Sequence, residues 1–184
     1  MVDLTNHFLV AMPTQMSSMF AGSVVYVIKH NSDTGAFGVI VNKPLGRTLK
    51  NAFKDVDFSK YNPSWEQNRL YLGGPVCGDN GFVLHKTSAA SNDNNVFELT
   101  NNRSVLSQIA ASDSECKSDL FVSVGYSEWA AMQIEFEILR NDWLVVKAGT
   151  DLIFDVEPSK RYGEAMRLLG VQNVSHLYHG IGFA

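Results

Sequence analysis

Between Asp119 and Val146 the spacing of apolar positions changes twice, and the changes predict a strand, a helix and a second strand in succession. Asp119 to Val124 is an almost unbroken apolar run rich in β-formers, as in a strand covered on both faces. Gly125 is read as its end and Ser127 as the N-cap of the helix, with Glu128 in a first turn whose dipole favours an acid. At about 3.6 residues per turn, Trp129, Met132, Phe136 and Leu139 share one stripe while Ala131, Ile134 and Ile138 share a nearly opposite one. The helix is therefore expected to be buried on two sides. Gln133, Glu137 and Arg140 form a strip on the Trp129 side, where Glu137 can meet either of the others at i,i+3 or i,i+4. Asn141 stops the helix, and Asp142 to Val146 resumes as a strand.

The rest of the chain divides by the same signals. His7 to Ala11 is a short strand, and Ser23 to Lys29 and Phe37 to Asn42 form an antiparallel hairpin around Asp33-Thr34-Gly35. Pro44 and Gly46 end that hairpin, and Thr48 opens a short helix with Leu49, Ala52, Phe53 and Val56 inward. Leu70 to Leu72 is a strand broken by Gly73-Gly74-Pro75, and Gly81 to His85 is read as its partner across a turn around Gly78-Asp79-Asn80. Val96 to Leu99 is a strand, and a helix stripe follows at Val105, Leu106, Ile109 and Ala110. Leu152 to Phe154 is a further strand. Pro158 starts the last helix, with Tyr162, Ala165, Met166 and Leu169 inward, Lys160, Arg161 and Arg167 on its polar face, and Gly170 at its close. The tail from 174 to 184 is expected to be loosely held.

Composition narrows the function classes. The chain has 184 residues, enough for one domain with a real core, and 45% of them are apolar, which excludes a disordered chain. A net charge of -4 with scattered basic residues gives no footprint for DNA, and no helix-turn-helix with a basic recognition helix can be found, so direct DNA binding is disfavoured. No apolar run is long enough for a membrane span and no basic n-region precedes one, so the expectation is a cytoplasmic protein without membrane contact. Cys77 and Cys116 stand in neither metal nor redox spacing and are read as free thiols.

Candidate chemistry is sparse. Gly125-Tyr126-Ser127-Glu128-Trp129 resembles a nucleophile elbow until its last position, where Trp129 replaces the required glycine. Gly73-Gly74 could bring backbone close to a ligand, although Pro75 removes an N–H that a phosphate cradle would use. His30 and His85 each end a predicted strand and could meet Cys77 and Asp79, but no metal motif joins them. Neither a cofactor nor a metal is therefore expected.

Several segments together resemble a known family. They are HFLVAMP (His7 to Pro13), SVVYVIKHN with GAFGVIVNKPL (Ser23 to Leu45), LGGPV (Leu72 to Val76), GFVLH (Gly81 to His85), Gly125-Tyr126 with Trp129, Gln133-Ile134-Glu135, Glu137 and Trp143, and DLIFD (Asp151 to Asp155). In order and spacing they are similar to the AlgH/YqgE family of bacterial proteins, over about residues 6 to 171. Met132, Gly22 and Tyr162 depart from it, standing where Gly, Arg and Trp are usual. The resemblance implies a cytosolic protein of mixed α and β structure with no established activity; the label of transcriptional regulator attached to the family names no mechanism.

The expected architecture is α+β, with one domain over residues 1–173, a mixed, largely antiparallel sheet curled toward a barrel, and about four flanking helices. The expected function is binding or regulation through a small ligand or a protein partner, with any effect on transcription indirect. Asn42, Lys43, Gly73, Gly74, His85, Trp129, Gln133 and Glu137 would line the site. The alternative is an uncharacterised enzyme using His85, His30 or Cys77.

Overall fold

Strict alternation along the first strands sorts apolar side chains onto two faces, and both faces are covered. In the computed structural model, which describes residues 2–13, 19–52, 65, 67–86, 97–101, 120–147 and 149–171, the strands are β1 (Phe8–Ala11), β2 (Val24–Asn31), β3 (Gly35–Ile40), β4 (Pro44–Thr48), β5 (Arg69–Leu72), β6 (Val76–Lys86), β7 (Phe97–Thr100), β8 (Phe121–Trp129) and β9 (Trp143–Val146). The described helices are α1 (Leu49–Ala52), α2 (Gln133–Leu139), α3 (Asp151–Phe154) and α4 (Pro158–Leu168). Phe8, Val10, Val24, Tyr26 and Val39 point to one core, while Leu9, Ala11, Val25, Val27 and Ile40 point to another. Such full burial is worth about 1.5–3 kcal/mol for each large aliphatic or aromatic side chain.

One mixed sheet holds all nine strands. Its order is β4-β5-β8-β3-β2-β1-β9, with β6 also on β8 and β7 on β6. Every pairing is antiparallel except β5 with β8, where Leu70 to Leu72 run alongside Val122 to Val124. β8 is the shared element. β3 pairs with its far end, from Ser127 to Trp129, and β6 pairs with it from Phe121 to Tyr126. The sheet curls into a half-barrel, so that Tyr26 of β2 meets Phe97 of β7 edge-on at 6.0 Å. Leu152 and Ile153 of α3 and Ala165 and Met166 of α4 complete this inner core. Ile134 of α2 covers the outer one, together with Trp129 and Trp143.

The β2–β3 hairpin and the final helix stand where the sequence predicts them, and Gly170 ends that helix at a φ of +81°. Other expectations are corrected. β8 does not stop at Gly125: Tyr126 pairs with Val76 of β6 and Ser127 to Trp129 pair with β3, and the φ of +69° at Gly125 re-aims the strand instead of ending it. Ser127 is therefore a buried strand residue and caps nothing; its hydroxyl donates to the Gly73 carbonyl at 3.1 Å. The elbow chemistry is excluded by the same placement. Leu70 to Leu72 and Gly81 to His85 are not partners, because β8 lies between them. Pro44 begins β4 instead of closing the hairpin, the strand position a residue without an N–H tolerates best. Leu152 to Phe154 coil into α3, since their amide bonds run back to Gly149 and Thr150. The predicted helix stripe at 105–110 and the tail lie outside the described residues.

Gly73, Gly74 and Gly125 let two backbones approach closer than any side chain permits. A Cβ on Gly73 would fall 2.1 Å from the Gly125 carbonyl oxygen, and one on Gly125 would fall 2.6 Å from that of Gly74. Gly125→Ala is expected to cost about 2 kcal/mol or more in denaturant unfolding, from left-handed strain and overlap together. A loss within about 0.5 kcal/mol would show that the approach is not tight.

Candidate functional site

The sequence motif around α2 resolves into a carboxylate held between two indoles. Oε2 of Glu137 accepts the Nε1–H of Trp129 at 2.9 Å and that of Trp143 at 2.7 Å. Its Oε1 accepts from Nε2 of Gln133 at 2.9 Å, and Oε1 of Gln133 accepts the Ala130 amide at 3.0 Å. Trp129 ends β8 and Trp143 begins β9, so one carboxylate ties the helix to the strands on either side of it. Phe20 fills the remaining gap, with ring centroids 6.2 Å from Trp129 and 5.3 Å from Trp143. Arg140 takes no part; it pairs with Asp142 at 2.7 Å.

α2 begins at Gln133, after Met132 at a φ of +61°, several residues later than its sequence suggests. That shift corrects the expectation of burial on two sides. Ile134 is fully buried, yet Phe136 is 58% and Leu139 77% exposed. The predicted inward stripe of Trp129, Met132, Phe136 and Leu139 is broken, because Trp129 belongs to the strand and its former companions look outward.

Asn42 and Lys43 serve the chain itself. Asn42 accepts the Val24 amide and donates to the Gly22 carbonyl, each at 2.8 Å. Lys43 donates its Nζ to the Met19 carbonyl at 2.6 Å, and burial pushes its ammonium pKa below the ordinary value. Gly73 joins β3 to β5 and β8, accepting from Ile40 and donating to Val124, each at 2.8 Å. The glycine pair thus faces β8 backbone.

The histidines and Cys77 occupy separate neighbourhoods. His30 is 8% exposed; Nδ1 accepts the Leu4 amide at 3.2 Å, which leaves the proton on Nε2 to face Oε1 of Glu135 at 3.1 Å. Asp3 lies 3.7 Å from the same Nδ1. The ring pins the N-terminal segment and α2 to β2. His85 is half-buried on β6, opposite Glu98 of β7. Cys77 is exposed, with the Tyr126 hydroxyl beside it. Among the described residues no group of three or more His, Cys, Asp or Glu side chains could hold a metal.

Two features escape sequence reasoning. One is the outward pair Phe136 and Leu139. The other is Arg161, expected on a polar face but 4% exposed, with Nε donating to the Val156 carbonyl at 2.8 Å and Nη1 to that of Val41. Its place at i,i+4 from Ala165, on the buried side of α4, is the signal that was available.

Comparison with known proteins agrees with the fold. A family model described as AlgH-like matches residues 8–174. UPF0301 protein Bpet0561 of Bordetella petrii is 38% identical over 99% of this chain and 90% of its own length. UPF0301 protein Nmul_A2478 of Nitrosospira multiformis is 40% identical over 100% of this chain and 98% of its own. The solution structure of the AlgH protein from Pseudomonas aeruginosa superposes with a TM-score of 0.73 at 33% identity, covering 100% of this chain and 97% of that one.

Glu137→Ala would leave two buried indole N–H groups without an acceptor, which is expected to cost about 2–5 kcal/mol in denaturant unfolding and to shift tryptophan emission to the red. A stability within about 0.5 kcal/mol of the parent would contradict the clamp. Glu135 carries a pH signature. Burial pushes its carboxyl up, but hydrogen bonds from Ser32, its own backbone and His30 outweigh this and hold it below the ordinary 4.5. A carboxylate so depressed adds stability above that value and loses it as pH falls through the lowered one. The stability difference between the parent and Glu135→Gln is therefore expected to be full at neutral pH and to shrink well below pH 4.5; thermal midpoints showing a constant difference would refute it.

Proposed function

The chain belongs to the AlgH-like family, and we propose that it works as a binding protein that engages a protein partner through the outer face of α2. The observation that carries this is the pair Phe136 and Leu139, 58% and 77% exposed on a helix whose other face is locked down. Large apolar side chains left in water on an ordered element mark interaction surfaces more often than isolated surface residues do. The Glu137 clamp supplies rigidity, so the face is formed before anything docks and its ordering costs little on binding. Any effect on transcription would then pass through that partner, since a net charge of -4 with scattered basic residues gives no footprint for DNA.

A small ligand at Asn42, Lys43, Gly73, Gly74, His85, Trp129, Gln133 and Glu137 is the weaker alternative. Most of those polar groups are already spent inside the chain, and a ligand would have to displace the bonds they make. An enzyme using His85, His30 or Cys77 has less support, because His30 is surrounded by Leu4, Asp3 and Glu135, while Cys77 faces Tyr126.

A photo-crosslinking residue at position 139, introduced into the protein in its own cells, is expected to yield a discrete adduct with another polypeptide. The same residue at exposed position 50 on α1 is the control and should not. Phe136→Ser combined with the crosslinker should abolish the adduct while leaving the thermal midpoint nearly unchanged. No adduct from position 139, or one only with a second copy of this chain, would sink the proposal.

A further inference from the structure

The segment ahead of β1 is fastened to the sheet through an imidazole, a group that can exchange an acceptor for a donor. The side chain of His30 is 2% exposed, and its two nitrogens play opposite roles. Nδ1 carries the lone pair that accepts the Leu4 amide at 3.2 Å, while the proton on Nε2 faces Oε1 of Glu135 at 3.1 Å. Beside them, the backbone N–H of His30 donates to the Thr5 hydroxyl at 3.1 Å. Leu4 and Ile134 are buried in the same core, so one ring joins the N-terminal segment to α2.

A different acceptor stands close to Nδ1. Oδ1 of Asp3 lies 3.7 Å from that nitrogen, on a side chain that is 72% exposed and bonded only to the Thr5 amide, at 2.9 Å. The ring therefore sits between two carboxylates, and Oε2 of Glu135 is buried without a hydrogen-bond partner. Among the described residues, neither acid pairs with a lysine or an arginine. The remaining titratable groups of the neighbouring elements are turned elsewhere. Lys29 and Asp33 are exposed, Nδ1 of His7 donates to the Thr5 carbonyl at 3.0 Å, and β3 places Ala36 opposite His30.

A proton taken from water at Nδ1 would make that nitrogen a donor, and two donors cannot share a hydrogen bond. The Leu4 amide would lose its acceptor, whereas the imidazolium would gain Asp3 on one side and keep Glu135 on the other. We infer that His30 is a proton-operated latch: neutral, it holds the N-terminal segment by the backbone of Leu4; protonated, it frees that amide and holds the segment by the Asp3 carboxylate. The latch lies between β2 and the N-terminal segment, whereas the partner face proposed above lies on the outer side of α2, so either can fail without the other.

The test follows the ring nitrogens of His30 and the Leu4 amide by NMR on the full chain, from about pH 8 down to about pH 5, the range in which imidazoles ordinarily titrate. Proton uptake at Nδ1 is expected, with the Leu4 amide shift following the same midpoint and its protection against hydrogen exchange falling about fivefold or more. Asp3→Asn, on an exposed side chain, should weaken proton uptake by about two- to fivefold, because it removes the new acceptor. His30→Gln should leave the Leu4 amide indifferent to pH over the same range; should that variant fail to fold, the Asp3→Asn comparison decides. A ring that stays neutral for as long as the protein is folded, a ring that titrates without the Leu4 amide following it, or unchanged proton affinity in Asp3→Asn would each overturn the inference.

Discussion

The structure depends on the close approach of two backbones at β8. That strand must accept β5 and then β3 along one edge while β6 takes the other, and the handover occurs at Gly73. A buried strand with an unfilled edge would leave amides and carbonyls unpaired at a cost of about 1–3 kcal/mol each. The chain avoids this by bringing Gly73 and Gly74 against the backbone of β8, where Ser123 and Ser127 close the remaining gaps with hydroxyls that donate to the carbonyls of Gly125 and Gly73. The half-barrel, its inner core and the emergence of Trp129 on the outer face all follow from the path β8 is made to take.

At the end of that path the chemistry changes from packing to fixed polarity. Trp129 leaves β8, Trp143 enters β9, and a single carboxylate from α2 accepts both indole donors. A short helix has little stability of its own. Here it is held by that clamp, by Ile134 beneath it and by the His30–Glu135 contact at its first turn. Its outer side is left with Phe136 and Leu139, and an ordered apolar face is what a docking partner requires. Trp129, Gln133 and Glu137, candidates for a ligand site in the sequence, thus also hold α2 in place.

Much of this was legible because alternation and turn chemistry are local. Val24 to Ile28 alternate between two cores, the β2–β3 turn carries Gly35, and α4 opens on Pro158 and closes at Gly170. What the sequence hid is non-local. Nothing near Leu70 announces a parallel neighbour some fifty positions away. Gly125 and Ser127 look like a strand end and a helix cap, and only the distant pairings of Tyr126 with β6 and of Ser127 with β3 make this stretch strand. Misplacing the start of α2 then turned Phe136 and Leu139 inward, since a helix phase is fixed by where it begins. Arg161 misled for a different reason: its charge suggested solvent, while its position along the helix pointed to the core.

On the proposal that α2 docks a partner, its outer face is open in the purified protein and covered where the protein works. The methyl resonances of Leu139 measure this directly. Sharp signals from the purified chain, with selective broadening or displacement inside cells while core methyls such as those of Ile153 keep their shifts, are the predicted result. Leu139 signals identical in both settings would contradict the account.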